Sequence, residues 1–446
     1  MPRQRRLTLA LASLGLLACG EGPRDEAHTT ALSIGPGPGD SGSAAESGTG
    51  DKLDTPPDTG AHPAELCPSL HPGEGGGVAD YDFSFVWIAN STAGTVSKID
   101  TVTAVEVARY YSSPYEGDGD PSRTAVNRVG DAAVTSRAGG VAKIAAMVDR
   151  CDDLDGNGKI DTSTGPDDVR PWGTDECVRW YAELAGGGGD PLNHQGPRPT
   201  AWDAGTGDEP CSRLWVGWWH RGQNRGYFRR LSGADGSTLD EVDADGWDAS
   251  GTGKVWGPYG GAVDASGDFW VLGRGGPLVR IDGTTLEVSR WELPEDTDAY
   301  GLALDGFGMP WITGNAGDVS RFDPATETFT TLIVPGKVGG RTLRGLAIDR
   351  QGQAWIAANY PCGLVRVDTG AMTLVDDAIA LPDCDTPVGV GVDVDGRVWL
   401  PDQVANLAFR YDPGTGTVVA TEGLDHPYTY SDMTGVGFDL VYNPAG

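Results

Sequence analysis

Apolar and polar residues alternate along most of the chain in short runs of four to eight residues, which is the pattern of β-strands. Glycine and aspartate separate the runs, as they do in tight turns between strands. No amphipathic helical period stands out over the same region. The pattern therefore predicts an all-β body.

One unit of this pattern is repeated. An apolar strand ends in aspartate, a glycine turn follows, and a tryptophan stands six residues after the aspartate. A basic residue comes ten or eleven residues after each tryptophan, and an apolar residue follows it. The clearest copies of aspartate, tryptophan and basic residue are Asp264, Trp270 and Arg280; Asp305, Trp311 and Arg321; Asp349, Trp355 and Arg366; Asp393, Trp399 and Arg410.

Three weaker copies precede these four. They contain Asn127, Ala133 and Lys143; Asp203, Trp215 and Arg230; Trp87 and Lys98. A repeat of about 40 to 45 residues with four short strands is typical of a propeller blade. Seven copies predict a seven-bladed β-propeller over residues 78–446, although six or eight blades stay possible because the second and third copies carry insertions.

The first copy lacks a strand before Trp87, and the other end of the chain offers one at Thr434–Asp439. A C-terminal strand that completes the first blade closes the ring and removes its open edges. We therefore expect Thr434–Asp439 to pair within the first blade. The repeated tryptophans are expected to be core residues, because a large ring can pack between neighbouring sheets.

The Gly-Leu-Ala-x-Asp pattern with its glycine and tryptophan, clearest at 301–311 and 345–355, resembles the NHL and streptogramin-lyase propellers over roughly residues 80 to 446. The resemblance implies the fold and is weak for activity. Streptogramin lyases use a catalytic histidine with acidic residues and a divalent ion on late blades, and lactonase propellers hold calcium at the axis. No histidine lies between His220 and His426, so the lyase site does not carry over.

The N-terminus has the features of an export signal. A cationic start precedes the apolar run Leu7–Leu17, which is too short to span a bilayer. The run ends in Leu-Leu-Ala-Cys-Gly, which resembles a bacterial lipobox. We expect residues 1–18 to be a lipoprotein signal peptide, lipid to be attached at Cys19, and the protein to sit in the cell envelope on the periplasmic or outer-surface side. An ordinary signal peptide is the alternative.

Residues 19–77 are rich in Gly, Pro, Ser, Thr and acidic residues without an apolar period, which predicts a disordered tether. An extended arm packed on the propeller near Cys67 is the alternative. Over the whole chain the net charge is −31. This negative field repels phosphate backbones, so nucleic acid is not an expected partner and the membrane is reached through the lipid only.

Six further cysteines remain, an even number that suggests disulfides outside the cytosol. Short spacing favours the pairs Cys151–Cys177 and Cys362–Cys384, and Cys67 with Cys211 follows by elimination. Free thiols stay an alternative.

The insertion at 150–178, in the second blade, contains the sequence Asp-Leu-Asp-Gly-Asn-Gly-Lys-Ile-Asp, which resembles the first nine positions of an EF-hand loop. The motif predicts a structural calcium site, with Thr164 in place of the usual glutamate and with Asp167 or Asp168 able to reach back. An acidic turn without an ion is the alternative. The expected ligands are Asp153, Asp155, Asn157, the Lys159 carbonyl and Asp161.

The segment 215–228 is unusually aromatic and basic for so acidic a chain. Trp218, Trp219 and Arg221 could contact a sugar or a peptide, or the two tryptophans could cover the enlarged third blade. Because no catalytic constellation is visible, the leading hypothesis is a non-catalytic binding scaffold for a protein or a glycan. A lyase or hydrolase with its site in the central channel is the alternative.

Overall fold

The computed structural model describes residues 84–184, 194–205, 212–247, 256–295, 297–336 and 342–442. The expected signal peptide, lipid site and tether lie outside these residues, as do Cys67 and Cys211. Among the described residues, no helix has the length and apolar character needed to cross a membrane.

Each copy of the repeat forms one antiparallel sheet, and the copies with insertions keep the same order. Blade 1 has β1 to β3 (Phe85–Asn90, Thr95–Asp100, Val105–Tyr111). Blade 2 has β4 to β7 (Pro121–Val126, Ala132–Ser136, Gly140–Ile144, Val178–Glu183). Blade 3 has β8 to β12 (His194–Gln195, Thr200–Trp202, Leu214–His220, Arg225–Leu231, Thr238–Asp245), with β8 and β9 both paired to β10.

The last four blades have four strands each. Blade 4 has β13 to β16 (Pro258–Val263, Phe269–Gly273, Leu278–Ile281, Val288–Trp291). Blade 5 has β17 to β20 (Ala299–Leu304, Pro310–Gly314, Asp318–Asp323, Thr328–Ile333). Blade 6 has β21 to β24 (Thr342–Ile348, Gln353–Asn359, Gly363–Asp368, Thr373–Ile379). Blade 7 has β25 to β28 (Gly391–Val392, Val398–Asp402, Leu407–Tyr411, Val418–Glu422).

The first strands of successive blades, β4, β9, β13, β17, β21 and β25, lie side by side around a central channel. Blade 7 also packs against blade 1, since Trp399 and Val86 share one buried cluster. The seven-bladed β-propeller predicted from the repeat is thereby confirmed. Short 3-10 helices occupy three connections, at Glu116–Asp118, Val148–Arg150 and Arg221–Gln223.

The closing segment is not the one expected. Residues 427–433 run beside β1, with the Tyr428 amide donating to the Ala89 carbonyl and the Trp87 amide donating to the Met433 carbonyl, both at 2.9 Å. The prediction of a strand at Thr434–Asp439 is wrong, because the chain turns at Gly435 (φ +85°) and forms the helix α1, Val436–Tyr442. Asp432, near the end of this segment, accepts the Phe438 amide at 2.7 Å.

Helix α1 fills one end of the channel, where the innermost strands end. Phe438, Leu440 and Val441 each belong to a different buried cluster, shared with blades 2 and 3, blades 5 and 6, and blades 4 and 5, respectively. An ion pair between Arg350 of blade 6 and Asp439 fixes the helix laterally. A small cavity of about 80 Å³ is left between the helix and the strands. The sequence pattern could not reveal this helix, because seven residues are too few for a helical period to be recognised.

The repeated aspartate and tryptophan are joined by a hydrogen bond. In four blades the indole Nε1 donates to Oδ2 of the aspartate six residues earlier, at 2.7 to 2.9 Å. The other carboxylate oxygen accepts the backbone amides two and four residues after the aspartate, which shapes the turn between the first two strands. The predicted tryptophans are buried core residues, as expected: Trp270, Trp311, Trp355 and Trp399.

The repeated basic residue stands opposite the tryptophan on the next strand, for example Arg366 opposite Trp355. In several blades its side chain reaches a carbonyl in the following blade. Lys143 donates to Gly233 at 2.8 Å, Arg230 donates to Gly283, and Arg410 donates to Thr101 across the closure of the ring. The repeat motif therefore fixes each turn and also connects neighbouring blades.

Two disulfides are present among the described residues, Cys151–Cys177 and Cys362–Cys384, with Cα–Cα distances of 4.5 and 5.8 Å. These are the two pairs that short spacing favours. The first one brackets the insertion between β6 and β7, which therefore leaves and re-enters the blade at neighbouring points.

Replacing Asp349 with alanine should lower the free energy of unfolding by about 2 to 4 kcal/mol, because the buried Trp355 Nε1–H and two turn amides lose their acceptor together. Denaturant unfolding measures the loss. Asp323→Ala is the matched control, since Asp323 shapes a surface turn without a tryptophan partner. Equal losses in both variants would contradict a special role for the pair.

Candidate functional site

The channel end opposite α1 carries a group of arginine and tyrosine side chains, which we call the mouth cluster. Its tyrosines are Tyr259, Tyr300 and Tyr430, all buried in one aromatic cluster, with Trp256 and the half-buried Tyr428 packed against it. Its arginines are Arg123, Arg137, Arg198, Arg274 and Arg344, each with its guanidinium carbon within 5.4 Å of one of these rings.

The first strands position these side chains. Tyr259 and Tyr300 are the second residues of β13 and β17, while Arg123 and Arg344 are the third residues of β4 and β21. Since all first strands begin at the same end of the channel, residues near their starts converge on the axis. Arg198 lies two residues before β9 and completes the convergence from blade 3.

The tyrosine hydroxyls form a chain. The Tyr428 hydroxyl lies 2.8 Å from that of Tyr259 and 2.9 Å from that of Tyr300. The Tyr430 hydroxyl is buried and has no hydrogen-bond partner among the described residues. The mouth therefore combines fixed aromatic walls with a polar network that has unused donors.

Arginine charge dominates the electrostatics of the mouth. Burial alone would raise the pKa of Tyr259, but the charges of Arg123, Arg274 and Arg198 outweigh it and lower that pKa to about 8. Burial lowers the pKa of Arg123 to about 10 and also lowers the pKa of Arg198. Burial raises the pKa of Tyr300 and of Tyr428.

Sequence reasoning missed this cluster, although a signal was present. Arg198, Tyr259, Tyr300 and Arg344 each stand five residues before the repeated aspartate of their blade. In these four copies that position holds a large polar or aromatic residue at a place that faces the axis. This position lies outside the aspartate, tryptophan and basic-residue motif, so the motif alone did not reveal the cluster.

The predicted calcium loop is compact and its acidic side chains converge. Carboxylate oxygens of Asp153, Asp155 and Glu176 lie within 4.8 Å of one another. The Asn157 side chain donates to Asp155 at 2.8 Å and to Asp161 at 3.2 Å. Glu176 was not among the predicted ligands, because it stands far beyond the twelfth position of the loop.

The two candidates for the twelfth ligand lie elsewhere. The Asp168 carboxylate accepts hydrogen bonds from the backbone amide and the hydroxyl of Thr164, at 3.1 and 3.0 Å. Asp167 is exposed. Lys159 is exposed as well, with its amide donating to the Asn157 side chain at 2.8 Å. The buried Glu176, brought close by the Cys151–Cys177 disulfide, is therefore the residue that can complete the carboxylate set.

The aromatic segment of blade 3 belongs to the core. Trp218 and Trp219 are 4% and 1% exposed and face opposite neighbours, blade 2 and blade 4. Arg221 is exposed at the following turn. The two rings therefore have almost no free surface on which a ligand could stack. His426 is half-exposed, with Nδ1 3.5 Å from an Asp425 carboxylate oxygen.

Comparison with known proteins identifies the fold. No protein-family model matches the sequence, and neither does any curated protein. Two solved structures share the fold: a protein assigned as a 6-phosphogluconolactonase from Bacteroides fragilis (TM-score 0.53, 11% identity, 79% of this chain and 98% of that chain) and a protein from Lactobacillus plantarum (0.52, 12%, 78% and 97%). Virginiamycin B lyase from Staphylococcus aureus is also similar (0.46, 16%, 69% and 87%).

The lowered pKa of Tyr259 gives a spectroscopic prediction. The ultraviolet absorbance of tyrosinate should rise with a midpoint near pH 8, and this step should be absent in Tyr259→Phe but present in the exposed-site control Tyr360→Phe. Because the folded-state pKa lies below the ordinary 10.0, the ionised phenol stabilises the fold above about pH 10, and that contribution is lost as the pH falls through about 8. A titration unchanged by Tyr259→Phe would contradict the prediction.

Proposed function

We propose that this chain is a ligand-binding propeller of the cell envelope and that its ligand binds at the mouth cluster. The observation that carries the proposal is the convergence of aromatic and arginine side chains from the first strands of several blades on one end of the channel. Helix α1 fills the other end of the channel, so a ligand would reach the cluster from the end that α1 leaves uncovered. Concave sites with fixed aromatic walls and a few convergent polar groups are typical of ligand binding.

The location in the cell envelope rests on the sequence and on the disulfides. The lipobox-like motif supports lipid attachment at Cys19, and residues 19–77 would serve as the tether. Two disulfides suit an oxidising compartment. In this proposal the lipid holds the chain at the membrane while the propeller acts as a scaffold that presents the mouth to a protein or a glycan.

A lyase or hydrolase acting at the same mouth is the second candidate. Tyr259 favours it, because a phenol whose pKa is lowered to about 8 by neighbouring arginines is better suited than an ordinary tyrosine to act as a general base. Both functions would use the same mouth, and they differ in whether the bound compound is converted. Binding without turnover supports the scaffold, whereas conversion of a bound compound that is lost in Tyr259→Phe supports the enzyme.

We also propose that the loop at 153–161 binds calcium as a structural ion. Three carboxylates converge there, and the loop closes a long insertion whose ends are joined by a disulfide. Calcium takes oxygen ligands in this kind of arrangement, and the neutralised loop would resist local unfolding. The buried Glu176 would supply the carboxylate that Thr164 cannot.

Calcium should therefore raise the melting temperature of the wild-type protein relative to EDTA, and Glu176→Gln should abolish most of that difference. Asp167→Asn is the matched control, because it removes one negative charge from an exposed position of the same insertion. The comparison uses the calcium-dependent shift within each variant, so a general loss of stability does not affect it. No shift in the wild-type protein would contradict a calcium site.

The binding proposal is tested on the full-length protein extracted from membranes with detergent, where mass measurement of the N-terminal peptide reports whether Cys19 carries lipid. A thermal-shift screen of small saccharides, peptides and their charged analogues should find stabilising compounds. Their effect should be lost in Tyr430→Ala and kept in Trp218→Phe, a core control far from free surface. Compounds whose effect is the same in both variants would place binding outside the mouth.

A further inference from the structure

We propose that the ligand carries an oxyanion group, a carboxylate or a phosphate on a small molecule, and that Arg123 and Arg198 bind this group. The proposal rests on the function given above and names its ligand class. It depends on three properties of the mouth cluster: unpartnered buried donors, reversed local charge and the way in which the arginines stack.

The donors come first. Arg123 is 1% exposed, and its Nε and Nη2 have no hydrogen-bond partner among the described residues, while Nη1 donates to the Ser122 carbonyl at 2.6 Å. Arg198 is 6% exposed, and its Nε likewise has no partner among them. A buried guanidinium without an acceptor costs free energy, and native proteins leave few such groups. An oxyanion at this place would supply the acceptors.

The local charge is opposite to that of the whole chain. The net charge of the protein is −31, yet five arginines meet at the mouth. Asp120 pairs with Arg137 at 2.5 Å, and Asp298 acts on Arg274. The five arginines of the cluster outnumber these two carboxylates, so the cluster is net positive inside a negative molecule. Such a focused positive potential selects a small anion.

The stacking geometry explains why packing against the tyrosines leaves hydrogen-bond donors of Arg123 without acceptors. The guanidinium carbon of Arg123 lies 3.3 Å from the centre of the Tyr430 ring and 4.8 Å from that of Tyr259. Stacking occupies the flat faces of a guanidinium, whereas its N–H groups point outward in the plane. The tyrosines thus hold Arg123 rigid, while its buried Nε and Nη2 have no hydrogen-bond partner among the described residues. A pre-positioned guanidinium edge matches a planar carboxylate or a phosphate in a two-point contact.

The proposal is tested by calorimetry and thermal shift on the full-length protein at constant ionic strength, with glucuronate, glucose and inorganic phosphate as probes. Glucuronate and glucose differ in the carboxylate, so binding of the first alone isolates the charge. Phosphate distinguishes a general oxyanion site from a carboxylate site. We expect at least one oxyanion to bind and glucose not to bind. Arg123→Met and Arg198→Met should each weaken binding about tenfold or more.

Two further variants keep the test decisive. Arg198→Lys keeps the charge but removes the planar fork, so it should fold and still weaken oxyanion binding. Arg221→Met removes an exposed arginine outside the cluster and should bind like the wild type. As a second readout, a bound oxyanion should move the Tyr259 titration to higher pH, because negative charge nearby disfavours tyrosinate.

The outcomes separate the two proposals. If no oxyanion binds the wild-type protein, or if Arg221→Met loses as much affinity as Arg198→Met, the oxyanion proposal is wrong. If, in addition, a neutral saccharide or peptide binds and is lost in Tyr430→Ala, the mouth is still a ligand site. If no compound in either screen depends on any mouth residue, the proposed function fails as well.

Discussion

The hydrogen bond from the repeated tryptophan to the aspartate six residues earlier is the interaction on which this architecture depends. One carboxylate oxygen satisfies the buried indole, and the other accepts the amides of the turn. In the last four blades the tryptophan and the turn geometry therefore support each other, because a buried indole N–H without an acceptor is costly. Trp215 of blade 3 is buried without such an acceptor among the described residues. The same pair fixes where the first strand of a blade ends, and thereby which residues near its start face the channel.

The seven-bladed ring follows from this unit because the tryptophan and the basic residue opposite it lie between blades. Lys143, Arg230 and Arg410 each donate to a carbonyl of the following blade, the last across the seam where the chain ends meet. At that seam residues 427–433 complete blade 1, and the chain then turns inward as α1. The same C-terminal segment therefore closes the ring and then fills one end of the channel.

The fold could be predicted from the sequence because the spacing of the repeated aspartate, tryptophan and basic residue is regular. The step from Asp349 to Trp355 and the distance to Arg366 recur, and each recurrence is one blade. Helix α1 could not be predicted from the sequence. The apolar residues of Val436–Tyr442 pack against blades 2 to 6, which are distant in sequence, and not against their own sequence neighbours. Glu176 was missed for a similar reason, because the disulfide and not the loop motif brings it to Asp153.

The mouth cluster shows how the repeated blade structure can be kept while single positions in it vary. The position five residues before the aspartate is not held by the Asp–Trp pair, so it can be arginine in blades 3 and 6, tyrosine in blades 4 and 5 and valine at 388 in blade 7. Because the ring brings all these positions to one axis, a few changes at a structurally free position build a site from residues more than a hundred apart in sequence. Stacking against tyrosine then makes buried arginine tolerable at the axis. The constraint that makes the blades alike thus leaves the channel mouth as the place where this chain can be specific.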